Sequence, residues 1–232
     1  EPELKAKGLA CFVVKKGTPG FSVGRIEDKM GIAGSETAEL IFEDCRVPAE
    51  NLVGKEGQGF KIAMATLDGG RIGIASQALG IAQGAYEEAL SYTRERIQFG
   101  APVAANQGVS FKLADMATEI RAARFLVYSA AEMKNNHEKY SKEAAMAKMY
   151  ASDVAERVAT EALQLHGGNG FIKGAAVERM YRDAKITQIY EGTNEIMRVV
   201  IAGSIVGKIK RNKTAEVPVA SGKAGSATGP RK

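Results

Sequence analysis

The chain has 232 residues, with 32 Lys and Arg against 27 Asp and Glu, 26 Gly, two Cys and no Trp. It contains no run of about 18 apolar residues, which excludes a membrane-spanning helix, and two cysteines alone make neither a disulfide framework nor a metal site. The net charge of +5 is concentrated at one end: from Lys208 onward seven basic residues face one acid, Glu216, so residues 1–207 carry a net −1 and no basic face suited to nucleic acid is expected.

Residues 1–50 have strand character. Leu9 to Val14 is rich in β-formers and is bounded by Gly8 and the turn cluster Gly17-Thr18-Pro19-Gly20. Phe21 to Val23 and Glu39 to Glu43 repeat the pattern, and so few short strands need something to lean on. Cys11 and Cys45 are expected to be reduced core residues in a reducing compartment. Glu1 is no initiator and the text enters midway through a β region, which suggests a fragment or a processed chain.

From Gln58 the period becomes helical. Phe60, Ala63, Met64 and Leu67, then Ile74 to Ala89, recur on one face of a first helix despite glycines at 69, 70, 73, 80 and 84. Glycines kept in a helix imply close approach of a backbone or a ligand. Val109, Leu113, Met116, Ile120, Ala123, Val127 and Ala130 form the seam of a second helix in an antiparallel bundle. A third helix spans about Ser141 to Leu165 with Ala147, Ala151, Val154, Val158 and Ala162 on one face. A short fourth spans about Ala176 to Asp183. The last runs from Thr193 to about Ile209 with Ile196, Val199, Val200, Gly203 and Val206 inward. The remainder is small, polar and basic, too poor in apolar residues to order itself.

Four segments have the residues for chemistry. Gln164 to Phe171 offers Gly167, Gly168 and Gly170 after a helix; it is either a helix stop or a backbone cradle for phosphate. In Arg96-Ile97-Gln98-Phe99-Gly100, Arg96 either caps a helix C-terminus or meets a pyrophosphate. Asp68 and Arg71, three apart on one helix face, form either a surface ion pair or the border of a ligand lying across the glycines. In Tyr190-Glu191-Gly192-Thr193, Thr193 is a natural N-cap and Glu191 stands at the mouth of a helix N-terminus. Desolvation raises the pKa of such a carboxylate and the helix end lowers it; that balance suits a general base, or the acid simply complements the dipole.

Taken together and in this order, these segments resemble the acyl-CoA dehydrogenase family, close to its short-chain, butyryl-CoA type. Leu52 to Phe60, Leu67 to Arg71, Arg96 to Gly100, Gln164 to Phe171 and Arg182 to Thr193 carry the resemblance, which covers about residues 8–209. It implies a mainly α fold, a C-terminal antiparallel helix bundle (51–210) preceded by the end of a middle β-barrel domain (1–50), with a disordered basic tail at 211–232. It implies FAD-dependent α,β-dehydrogenation of a short-chain acyl-CoA to the trans-2-enoyl-CoA, or the reverse, with electrons passed to an electron-transferring flavoprotein.

The resemblance makes Glu191 the base that removes the α proton, because the alternative position on the first helix, Gly70, carries no carboxylate. The Glu191 N–H would polarise the thioester carbonyl, and Tyr190 and Gly192 flank it at the substrate. Asp68 and Arg71 match positions beside the pantetheine and CoA. Arg96, Gln98 and Phe99 match an arm reaching the ADP half of FAD in a neighbouring subunit. Gln164, Gly167 and Gly168 match the loop holding that ADP portion, and Thr193 and Glu195 lie beside the flavin. A homotetramer, no metal, and a bacterial cytoplasm or mitochondrial matrix are expected on the same footing. The family's N-terminal helical domain has no counterpart here, Gly174 stands where the family favours an acid or amide, and the tail has no family equivalent. An isolated, non-catalytic helical module that needs the absent N-terminal half is the alternative reading.

Overall fold

The computed structural model describes residues 1–207; the predicted tail, 211–232, and the predicted helix end at Ile209 lie outside the described residues. The N-terminal part is a ribbon in which β1 (Phe21–Ile26) pairs antiparallel with β2 (Ala38–Phe42), Phe21 opposite Phe42. Their rings stack at 4.9 Å between centroids. The expected strand at Leu9–Val14 reduces to one bridge, Phe12 to Leu52, with the Val13 N–H on the Asn51 carbonyl and the Val53 N–H on the Cys11 carbonyl, and among the described residues no longer strand lies beside it. None of the first 58 residues is buried. Cys11 and Cys45 are therefore half-buried free thiols, not core residues.

The core lies in the helices. α1 (Gly59–Glu95) is 37 residues long, and a two-residue hairpin of β3 (Ile97–Gln98) and β4 (Ala101–Pro102) connects it to α2 (Gln107–Asn135). α3 (Ser141–His166) is followed by the single turn α4 (Gly168–Phe171), then α5 (Ala176–Ile186) and α6 (Asn194–Val206). Cross-helix pairs give the directions. Gln83 of α1 meets Arg124 of α2, and Lys112 and Glu119 of α2 meet Glu161 and Arg157 of α3, so α2 runs antiparallel to both. Asp68 and Tyr92 of α1 meet Ser141 and Asn169 at the two ends of α3, so α1 and α3 run parallel.

Small side chains dominate the core. Ala75, Ala78, Ala82, Ala85 and Ala89 on α1 and Ala144, Ala147, Ala151, Ala155, Ala159 and Ala162 on α3 are all fully buried. Alanine presents little more than a methyl group, so these helix backbones approach closely and side chains at matching levels meet. The predicted α2 seam is buried from Leu113 to Ala130, with Val109 half-buried.

The last helix departs from its sequence pattern. Asn194 and Met197 are its buried residues, while Ile196, Val199 and Val206 of the predicted inward face are exposed. α6 packs chiefly on α3, and that contact selects the narrower stripe starting from Asn194. Phe60 and Met64 in the first turns of α1 are likewise exposed.

Close approach makes the seam intolerant of volume. Ala151→Leu should lower unfolding free energy by about 1–3 kcal/mol by overpacking, read as a lower urea midpoint at unchanged m-value. An unchanged midpoint would show that the seam has room to spare.

Candidate active site

α5 leads directly into the loop Thr187–Thr193, which turns back so that α6 can start against α3. The reversal needs two successive left-handed residues, Glu191 at φ 56° and Gly192 at φ 94°. At Gly192 that φ disfavours any side chain, and a Cβ would stand 2.7 Å from the Met197 methyl, which would have to shift. Glu191 takes the same region with a full side chain, at a cost of about 1–2 kcal/mol that neighbouring contacts must offset.

The reversal lays the Glu191 carboxylate directly over Gly70 of α1, where any Cβ would collide with it. Close approach on α1 is by side chains, not by a backbone: the Glu191 carboxylate at Gly70, and Lys134 and Met180 at 3.2 Å from where a Cβ would stand on Gly69 and Gly84, whereas Gly73 and Gly80 face open space. Arg71 Nε donates to the Glu191 carbonyl at 3.5 Å, and its Nη1 pairs with Asp68 Oδ1 at 2.6 Å. Arg71 is only 7% exposed, so this is not a surface ion pair. Asp68 in turn accepts from the Ser141 hydroxyl at the start of α3. The Tyr190 hydroxyl bonds to Gln77 on the next α1 turns, and burial holds its pKa above the usual tyrosine value.

On the α3 side the loop is tied through Asn194. Its Nδ2 donates to Asp153 Oδ1 at 2.7 Å and to Ser152 Oγ at 2.9 Å, and its Oδ1 accepts from Lys148 Nζ at 2.9 Å. The Asn194 N–H donates to the Gln188 carbonyl at 3.0 Å, and Gln188 Nε2 also donates to Asp153 Oδ1. Thr193 caps α6 as expected, accepting from the Ile196 N–H. Glu195 is exposed, and its own N–H together with the Thr193 hydroxyl draws its carboxyl below the usual range.

Beside Tyr190 a mainly apolar cleft of about 570 Å³ opens between α5 and the loop preceding β2. Met30, Ile32, Ile186 and Ile189 line it, with Lys29, Arg182 and Lys185 among its walls. Asp183 anchors that loop by accepting from the Ile32 N–H at 2.6 Å, and Arg182 Nη1 donates to the Met30 carbonyl at 2.8 Å. Ile32 is held at φ 49°, an unusual value for a β-branched residue.

The candidate residues therefore divide into two groups. Asp68, Arg71, Tyr190, Glu191, Gly192, Thr193 and Glu195 gather at one end of the bundle. Arg96, Gln98, Phe99, Gln164, Gly167 and Gly168 stand at the other, about 35–40 Å further along α1 by its rise per residue. There Arg96 is the C-cap of α1, all three arm residues are exposed, and Gly167 ends α3 at φ 56°. His166 stacks on Tyr92 at 4.3 Å, and Asn169 Nδ2 donates to the Tyr92 hydroxyl at 3.0 Å, which docks the glycine loop on α1. Both segments thus end helices, as their helix-stop reading has them.

Lys148, Asn194, Asp153 and Gln77 are absent from the sequence-derived set. Lys148 had a readable signal: it falls on the stripe Ala144, Lys148, Ala151, Ala155, where a charge has no business unless held. It is fully buried, and burial pushes its pKa down from 10.5 to about 8. Asp153, Glu195 and Glu191 oppose that shift, and Arg71 adds to it.

Two family models match: acyl-CoA dehydrogenase, C-terminal domain, over residues 57–206, and acyl-CoA dehydrogenase, middle domain, over residues 1–45. An acryloyl-CoA reductase (NADH) of Anaerotignum propionicum is 59% identical over 206 residues, covering 89% of this chain and 52% of that protein. Butyryl-CoA dehydrogenase from Megasphaera elsdenii superimposes at TM-score 0.86 with 55% identity, over 87% of this chain and 52% of that one. A chain from a structure of the electron transferring flavoprotein of Acidaminococcus fermentans superimposes at TM-score 0.89 with 56% identity, over 90% of this chain and 55% of that one. The chain spans about half the length of the curated relatives it matches.

The buried lysine sets a pH dependence of stability. Unfolded, Lys148 titrates near 10.5; folded, near 8. Below pH 8 both states carry the charge and the native state bears the full burial penalty. Between about 8 and 10.5 the unfolded state binds more protons, so the contribution of this group to stability rises with pH, by at most about 1.4 kcal/mol per pH unit. Urea midpoints should rise relative to those of Lys148→Met across that window; parallel curves would contradict the assignment.

Proposed function

The chain belongs to the acyl-CoA dehydrogenase family, and on that footing we propose that Glu191 is the base that takes the α proton of an acyl-CoA thioester. The observation that carries this reading is the Glu191 carboxylate laid over Gly70, where the helix surface has no side chain to keep a ligand away. The main chain of Glu191 is held from α1 by Arg71, and its loop is held from α3 by Asn194. A base fixed in this way meets the α carbon without first ordering its own loop, which is where positioning lowers a barrier. The Glu191 N–H is assigned to the thioester carbonyl, whose oxygen gains charge as the proton leaves. Asp68 and Arg71, with Tyr190 and Gly192, are assigned to the thioester and pantetheine side.

The residues present fit FAD in two places. The apolar cleft beside Tyr190 has the size and lining for a flat ring, with Lys29, Arg182 and Lys185 as cations. Thr193 and Glu195 lie at the neighbouring helix start. Arg96, Gln98 and Phe99, with Gln164 and the open backbone of Gly167 and Gly168, offer an anion-binding set at the far end. One dinucleotide does not span both ends, so the distal set is assigned to the FAD of another copy, in a homotetramer. When bound, FAD supplies the hydride acceptor for the β carbon. The outward apolar face of α6, with Ile196, Val199 and Ile205, suits such an assembly.

A short, unbranched acyl chain, or its enoyl counterpart reduced in the reverse direction, is the substrate class favoured by the names of the relatives. The similarity to a chain in an electron transferring flavoprotein structure supports such a flavoprotein as redox partner. A bacterial cytoplasm, or a mitochondrial matrix, is the compartment that suits this chemistry. The division into a β-domain end at 1–50 and a helical domain at 51–210 is carried forward with this reading. A second reading, a helical module inactive until joined by an N-terminal portion, is favoured by the absence of any buried residue before Gly59.

Glu191→Gln tests the assignment in the FAD-loaded protein completed by that portion. Exchange of the substrate α proton into deuterated solvent should fall about 10²–10⁴-fold, with FAD content unchanged. Exchange at the parental rate would remove Glu191 from the role.

A further inference from the structure

We propose that Lys148 is a positioning residue for Glu191: through the Asn194 side chain it locks the Gln188–Asn194 loop onto α3 and so fixes where the carboxylate stands. The inference rests on the reading of Glu191 as the base, but the contacts that carry it do not.

An amide side chain has two ends that differ only in hydrogen-bonding sense. Asn194 is 4% exposed, so its orientation is decided by protein partners. On one side stands Lys148, a donor without an acceptor while protonated, 2.9 Å from Oδ1. On the other stands the Asp153 carboxylate, an acceptor without a donor when ionised, 2.7 Å from Nδ2. Between an obligate donor and an obligate acceptor, a flipped amide would face two repulsions, so one orientation is enforced. Ser152 Oγ accepts from or donates to either amide end and cannot enforce it alone.

The fixed amide has consequences up the chain. The Asn194 N–H donates to the Gln188 carbonyl, and Gln188 Nε2 shares Asp153 Oδ1 with Asn194. Both ends of the loop therefore converge on one carboxylate of α3. The residues between include Glu191 and Gly192, both left-handed. A buried ammonium is costly, and the alanines around it show that an apolar residue would pack on this stripe. The charge is retained where it grips the loop.

Lys148 faces Asp153 on its own helix, Glu195 on α6, Arg71 on α1 and Glu191 in the loop.

The test compares Lys148→Met, Asn194→Ala and Glu191→Gln with the parent protein by amide hydrogen exchange and, in the FAD-loaded protein, by kinetics. Lys148→Met and Asn194→Ala should lower protection of amides 189–196 about tenfold, leave the α2 seam from Leu113 to Ala130 unchanged, and lower kcat about 10–100-fold with KM within about threefold. Should Lys148→Met not fold, Asn194→Ala decides the matter by the same readouts. Parental protection and kcat in Lys148→Met, or in Asn194→Ala where Lys148→Met does not fold, or a loss of protection spread evenly over the bundle, would each overturn the proposal. Glu191→Gln separates the two readings, since it should keep protection and lose turnover; turnover retained there removes the base and leaves the loop result standing.

Discussion

The loop from Gln188 to Asn194 has no core of its own and owes its shape to two helices that hold it from opposite sides. Arg71 and Gln77 of α1 take the Glu191 carbonyl and the Tyr190 hydroxyl; Lys148, Ser152 and Asp153 of α3 take Asn194 and Gln188. Both sets reach the loop because α1 and α3 run parallel and meet through alanines, which keeps their surfaces level with one another. Larger side chains along that seam would part the helices and leave the loop held from one side. The polar contacts of the site thus depend on the apolar packing beneath them.

The candidate residues stand at the two ends of α1 because that helix is 37 residues long. The end near Arg71 holds a carboxylate and a cleft; the end near Arg96 holds an exposed arm and a glycine turn docked on Tyr92. The same geometry that brings Asp68 to Ser141 brings Tyr92 to Asn169, so each end has a partner segment at the matching level of α3. Exposure separates them further. Arg71 and Asn194 are buried, whereas Arg96, Gln98 and Phe99 contact little of their own chain.

Much of this was legible in the sequence. The α2 seam, the α3 face and the Thr193 cap follow from spacing and residue type, whereas the link between Glu191 and the Gly70 position came only with the family resemblance. The α6 face was misassigned because its strongest apolar repeat, Ile196 and Val199, is not the stripe that α3 selects. The strand at Leu9–Val14 was overread because propensity does not say whether a pairing partner exists. The Lys148–Asn194–Asp153 set was missed because Asn194 lies 46 and 41 residues from its two α3 partners and meets them only once α6 has packed on α3. Only the lysine on an alanine stripe hinted at it.

The left-handed backbone at Glu191 has one more consequence. A residue with a β-carbon does not rest there unaided; released, its φ would relax to negative values and the side chain would swing off Gly70. The aim of the carboxylate is a tension kept by its tethers, Arg71 and Asn194 foremost. Sequence drift at any tether would therefore disarm the acid while leaving the acid itself untouched.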